Sequence, residues 1–213
     1  MDKHGGFLLA DGTGVGKTRQ QLAVAQAFLD KGKKVVIVSP AEVIKPNWNK
    51  GSMAGSFAHD SAAMGVPVKL TKGDSDIAPG SVHITTYNEL AKLKDKIDKD
   101  TVMILDESHF LKNRESARHK HGKEAMDKAA AVMYATATPG DKPLHVAHLF
   151  RAGVFGNAGA TKTYEKLGME LVDQHVGGGQ YRKVWRVNPK IGAAESTRRL
   201  SGLFDPMTKD GLM

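Results

Sequence analysis

Two short stretches carry residues that could do chemistry together. The first is DGTGVGKT, made of Asp11, Gly12, Thr13, Gly14, Val15, Gly16, Lys17 and Thr18. It follows an apolar run, Phe7 to Ala10, and precedes a segment with helical spacing, Gln20 to Leu29. Strand, glycine-rich turn and helix in that order wrap backbone N–H groups around the phosphates of a nucleotide. Glycines at 12, 14 and 16 allow positive φ and let the backbone approach an anion without a Cβ in the way. The positive end of the helix dipole then faces the phosphate charge. Lys17 would reach the β- and γ-phosphates, and the Thr18 hydroxyl would ligate Mg²⁺. Asp11 stands where the general pattern has glycine.

The second stretch is Val102-Met103-Ile104-Leu105 followed by Asp106-Glu107. An apolar strand of this kind delivers Asp106 to the sheet edge that carries the loop, where it can hold Mg²⁺ directly or through water. Glu107, one residue on, is placed to orient and deprotonate an attacking water. Taken alone, two acids after a strand also serve as helix N-terminal charges. Coupled with the loop upstream, the pair points to nucleoside triphosphate hydrolysis, with ATP and Mg²⁺ as the cofactors.

The elements that must position these residues are legible at coarse grain. Val35 to Pro40 is an unbroken β-branched run, the mark of a parallel strand buried on both faces. Val66 to Thr71, Val82 to Thr86 and Ala129 to Thr136 read as further strands. Leu22, Ala25, Gln26 and Leu29 form a helical stripe closed by Gly32. Ala41 to Asn49 reads as a short helix troubled by Pro46. Gly51 to Gly65 reads as a loop, and a helix runs from Tyr87 to about Lys94. Leu144 to Phe155, Thr163 to Val172 and Ala193 to Leu203 read as helices, and Gln180 to Val187 as a basic strand after the turn Gly177-Gly178-Gly179. Strands alternating with helices predict an α/β fold, a doubly wound parallel sheet with right-handed crossovers.

Composition narrows the classes. The chain has 213 residues, 40% of them hydrophobic and 25% charged, ordinary for a globular protein with a core. It has no cysteine, which excludes a disulfide framework and a cysteine-based zinc site. No apolar run approaches the ~20 residues that span a bilayer, and no signal peptide opens the chain, so no membrane partner and an intracellular location, cytoplasmic or nucleoid/nuclear, are expected. The formal charge of +8 suits a polyanionic partner.

The motifs taken together resemble the SWI/SNF-type branch of the superfamily 2 helicases and translocases, with wording close to the strawberry-notch relatives. DESH at Asp106 to His109 is similar to the family's DEAH-type box, and ATATP at Ala135 to Pro139 to its third motif. SPAEVIKPNW from Ser39, ITTYNEL from Ile84 and ESHFLKNRES from Glu107 match in the family's order, over roughly residues 5 to 155. The resemblance implies a single RecA-like lobe over 1–155, and a C-terminal extension over 156–213 that is helical with a basic strand-like segment. It implies that His109, Thr136 and Thr138 couple nucleotide state to a nucleic-acid surface. It implies that Ser39, Pro40, Thr85, Thr86 and Tyr87 lie along the phosphate-backbone track, and that Gln20 sits near the adenine end. DNA rather than RNA is the expected nucleic acid.

A complete motor of this family has two lobes with ATP between them, and the residues after 155 are too few for a second of ordinary size. The second lobe is therefore expected from another chain or from sequence outside this one. Two other functions compete with a motor. One is a nucleic-acid or partner binding module that keeps ATP as a structural ligand. The other is a small-molecule kinase, against which DESH and ATATP both speak.

Overall fold

Six apolar runs become the six strands of one parallel sheet. A computed structural model describes residues 5–10 and 16–209, with side chains through residue 204. Asp11, Gly12, Thr13, Gly14 and Val15 of the expected nucleotide loop lie outside the described residues. The strands are β1 (Gly6–Leu9), β2 (Lys34–Ser39), β3 (Val68–Leu70), β4 (Val82–Thr86), β5 (Thr101–Asp106) and β6 (Ala131–Ala135). Their order across the sheet is β1-β6-β5-β2-β4-β3, with every neighbouring pair parallel. Such a sheet needs a crossover between successive strands, and the crossovers are mostly helices: α1 (Lys17–Leu29), α2 (Ala41–Ile44), α3 (Ser56–Met64), α4 (Leu90–Leu93) and α5 (Ala117–Lys128). Burying both faces explains why β2, β4, β5 and β6 are almost wholly apolar or small. Parallel strands also end together, so the C-terminal ends of β1, β2, β4, β5 and β6 share one rim.

Two apolar clusters fill the faces. Leu22, Ile37, Phe57, Ile84 and Ile104 pack on the side of α1 and α3. Leu8, Val36, Leu105, Leu111 and Tyr134 pack on the other. The C-terminal part joins this second cluster through Tyr164, Leu167, Met169 and Leu200. It comprises a 3-10 segment (Pro143–Ala152), α6 (Gly159–Lys166), β7 (Met169–Gly177), β8 (Gln180–Val187) and α7 (Ala193–Lys209). β7 and β8 form an antiparallel hairpin turned at Gly177, Gly178 and Gly179, all at positive φ. Only glycine takes three such conformations in succession without strain.

Four expectations change. Gly51 to Gly65 holds the helix α3, bracketed by Gly55 (φ 92°) and Gly65 (φ 68°). The helix expected over Thr163 to Val172 stops at Lys166, because Gly168 (φ 83°) turns the chain and Met169 starts a strand. The helix from Ala41 ends at Ile44; Lys45 is left-handed (φ 43°) and Pro46 bars continuation. The segment from Leu144 is wound as 3-10 helix with a kink at Leu149.

His148 within that 3-10 segment ties stability to pH. Its Nδ1 donates to the His145 carbonyl at 2.9 Å, while Nε2 is buried without a protein partner and the ring meets Tyr134 edge-on. Burial pushes its pKa down to about 3, and His119, His109 and His145 lower it further. A histidine held neutral in the fold but free to protonate at about 6.5 when unfolded stabilises fully above pH 6.5. That stability is lost as pH falls from there toward 3. Burial shifts His83 and His119 in the same direction. The expected loss from His148 is about 2 kcal/mol by pH 5. Thermal midpoints between pH 8 and 5 measure it, and a His148→Asn variant with an undiminished acid slope would refute the assignment.

Candidate nucleotide site

The common rim assembles what the sequence separates by some ninety residues. Helix α1 starts at Gly16, which is left-handed (φ 82°, ψ 28°). Among the described residues no side chain caps this helix start and its first turn carries no acid, leaving amide donors to an incoming anion. A Cβ at Gly16 would meet nothing within 4 Å among the described residues, so φ and not space calls for glycine there. Thr18 Oγ1 donates to Ser56 Oγ at 3.3 Å.

Asp106 ends β5 and is only 6% exposed. Both carboxylate oxygens are held: Gln21 Nε2 donates to Oδ1 at 2.8 Å and Ser39 Oγ to Oδ2 at 2.7 Å. The Asp106 carbonyl accepts from the Tyr87 hydroxyl at 2.8 Å. Burial pushes the Asp106 carboxyl above the usual carboxylate range, while Ser39, Gln21 and the Lys17 charge pull against it. Lys17 is thus near enough to act on Asp106. Burial, with the Asp106 and Glu107 charges, drives the Tyr87 hydroxyl well up, so it remains a donor. The Tyr87 ring stacks on Phe110 at 5.5 Å, and the Arg118 guanidinium lies 5.4 Å from the Phe110 ring.

Glu107 has φ 48° and ψ 51°, one of two non-glycine residues at positive φ among those described. A left-handed non-glycine residue costs on the order of 1–2 kcal/mol and persists where its surroundings over-determine it. The kink swings the chain from β5 into the 3-10 turn Ser108–Leu111, and leaves the Glu107 side chain half-exposed above the rim. His109 joins the next motif to this one. Its Nδ1 lies 3.2 Å from Glu107 Oε2 and 3.1 Å from Thr136 Oγ1. The Thr138 amide donates to that same Thr136 oxygen at 3.1 Å.

Lys17, Asp106, Glu107, His109, Thr136 and Thr138 therefore lie together on the rim. The residues expected along the backbone track sit deeper than Lys17, Glu107, His109 and Thr138. Ser39, Pro40, Thr85, Thr86 and Tyr87 reach the rim but are buried, and Ser39 and Tyr87 spend their hydroxyls on Asp106. In this structure Ser39 and Tyr87 brace the acid strand, while the Thr85 hydroxyl is buried without a partner among the described residues. Gln21 was missed in favour of Gln20. The available signal was helical phase: Gln21 lies four residues after Lys17 and therefore shares its face.

The donors present fit a magnesium nucleotide. A hydroxyl, one buried carboxylate and a lysine beside an uncapped helix start form a hard-oxygen set, and Mg²⁺ takes one or two carboxylates plus phosphate oxygens. No group of three His, Asp or Glu residues that could enclose a metal alone occurs among the described residues. No described helix is long and apolar enough to cross a membrane.

Comparison with known proteins shows what the whole chain is similar to. The family model described as Type III restriction enzyme, res subunit, matches residues 2–141. The SWI/SNF-related matrix-associated actin-dependent regulator of chromatin subfamily A-like protein 1 of Xenopus tropicalis is 32% identical over 140 residues, 65% of this chain and 14% of that protein. Protein strawberry notch homolog 2 of Mus musculus is 27% identical over 222 residues, 92% of this chain and 16% of that protein. The chain thus spans about one seventh of the curated relatives it matches. Among solved structures, the Sulfolobus solfataricus SWI2/SNF2 ATPase core in complex with dsDNA superposes with a TM-score of 0.60 at 20% identity, over 94% of this chain and 39% of that one.

Proposed function

The chain belongs to the family described as Type III restriction enzyme, res subunit, as a superfamily 2, SWI/SNF-type RecA-like lobe, and from this we propose that it is the ATP-binding motor lobe of a nucleic-acid-dependent ATPase. The observation that carries the reading is the meeting of Lys17, Asp106, Glu107 and the His109–Thr136 pair on one rim. Lys17 and the α1 amides bind the phosphates, and Thr18 and Asp106 hold the metal. A magnesium ion held there would supply neutralisation of the phosphate charge. Gln21 and Ser39 fix the Asp106 carboxylate, which would leave its remaining lone pairs for a metal. Glu107 orients and deprotonates the attacking water. His109 passes the state of Glu107 to Thr136 and Thr138 and so to whatever binds above them. A second lobe, from the longer protein or another chain, would supply the arginine finger, worth on the order of 10³–10⁵ in rate in related enzymes. The DNA named for the Sulfolobus core favours DNA over RNA here, and the family an intracellular place of work.

Phosphate release measured with and without added DNA or RNA tests this reading. The lobe alone should turn over slowly, nucleic acid should accelerate it, and Lys17→Ala should abolish nucleotide binding and turnover together. Salt-sensitive nucleic-acid binding with nucleotide bound and no turnover would instead make the chain a binding module.

A further inference from the structure

The lobe also carries a cationic surface away from the buried Ser39, Thr85, Thr86 and Tyr87. A groove of about 680 Å³ lies between the segment leaving the 3-10 turn after Glu107 and the β7–β8 hairpin. Lys112 and Arg114 line one side, and Arg182, Lys183, Trp185 and Arg186 the other. Its acids are Glu115 and Asp173, so cations outnumber carboxylates five to two.

Two of the five cations keep their charge unpaired among the described residues, and a third is paired only loosely. Lys183 and Asp173 stand 3.6 Å apart with side chains 67% and 59% exposed, a pair of little energetic weight. Arg114 and Arg182 form no ion pair with a carboxylate among the described residues. Arg114 lies 5.8 Å from the Tyr164 ring, and Arg182 reaches the neutral Gln174 at 3.4 Å. Lys112 lies 3.4 Å from Asp141, which it shares with His145, and Arg186 donates to Glu170 at 2.8 Å. Trp185 is half-exposed at the groove, its ring 5.3 Å from Tyr164.

We propose that this groove receives the phosphate backbone of a single nucleic-acid strand. Three guanidiniums offer paired donors matched to phosphate oxygens, and the ring beside them favours a ligand with flat bases over an acidic peptide. A cationic groove with an aromatic ring at its side is the arrangement that holds single strands without sequence preference. The groove has the volume of a small-ligand cleft, enough to seat a few nucleotides of one strand. Its floor starts at Lys112, five residues after Glu107, so a strand seated there bears on the segment that carries the water-activating carboxylate. The inference deepens the motor reading by locating its nucleic acid, yet strand binding here does not require turnover.

The test uses Trp185 as its own reporter. The chain has two tryptophans, so Trp48→Phe leaves Trp185 as the sole indole. Titration with oligothymidylate of about 16 nucleotides should quench it, and rising salt should weaken binding. Adding Arg182→Gln and Lys183→Gln, both exposed, should weaken the strand at least about tenfold and flatten the log K against log salt slope by about 1.4, two phosphates' worth. Fluorescent-nucleotide affinity should not change, which shows the lobe still folded. An indole that ignores the strand, undiminished binding by the double variant, or tighter binding of duplex or polyglutamate would overturn the proposal. A wild-type chain that binds the strand here but never hydrolyses ATP would keep the groove and remove the motor.

Discussion

Glu107→Gln is expected to leave nucleotide binding intact and to lower turnover by about 10²–10⁴-fold, the range of a lost general base. Binding should survive because the phosphate-facing groups, Lys17, Thr18 and the first amides of α1, belong to another element. Asp106 also keeps both of its side-chain donors, Gln21 and Ser39. The amide is isosteric and still offers His109 an acceptor where the carboxylate stood at 3.2 Å. What it cannot do is take a proton. Single-turnover phosphate release beside fluorescent-nucleotide titration separates the two effects. Hydrolysis at the wild-type rate would remove Glu107 from the mechanism and leave its left-handed backbone without a functional account.

The second large effect is structural. Arg151→Ala is expected to destabilise the chain by about 2–4 kcal/mol, since several buried carbonyls lose a charged donor at once. Arg151 Nη1 donates to Met126 O at 2.7 Å and Ala129 O at 3.3 Å; Nη2 reaches Ala130 O at 3.2 Å and Gly5 O at 3.4 Å. One guanidinium thus brackets the end of α5 and the starts of β6 and β1. The backbone there is equally tight, since a Cβ on Gly6 would fall 2.1 Å from the Arg151 carbonyl oxygen. Urea unfolding should show a lower midpoint with an unchanged m-value. Arg151→Lys should recover less than half of the loss, because an ammonium cannot reproduce the planar fork. A loss below about 0.5 kcal/mol, the scatter of ordinary surface changes, would mean that the bracket is ornamental.

The sheet was readable because its strands are buried on both faces. Val35 to Val38 and Val102 to Leu105 are continuous apolar runs, and the polar residue ending each, Ser39 or Asp106, marks the rim. The chemistry was readable for the same reason, since loop and acid pair follow directly on strands. Legibility failed where burial is one-sided or local rules conflict. Leu167, Met169 and Leu171 alternate, but a reading by helical period absorbed them until Gly168 forced the break. The glycine, serine and alanine of residues 51–65 hide α3, whose core anchors are only Phe57 and Ser61. The Ser39, Thr85 and Tyr87 positions followed from the motif, but their burial did not. Which way a rim hydroxyl faces depends on Asp106, a partner distant in sequence.

The backbone at residue 107 has one more implication. A sequence optimised only for thermostability would put glycine, or asparagine, at that left-handed position, and gain something for it. Consensus or computational stabilisation applied blindly to this chain would therefore select against its own water-activating group. Anyone engineering a hardier version of the lobe should hold that codon fixed and look for improvement elsewhere, such as at the exposed surface of α5.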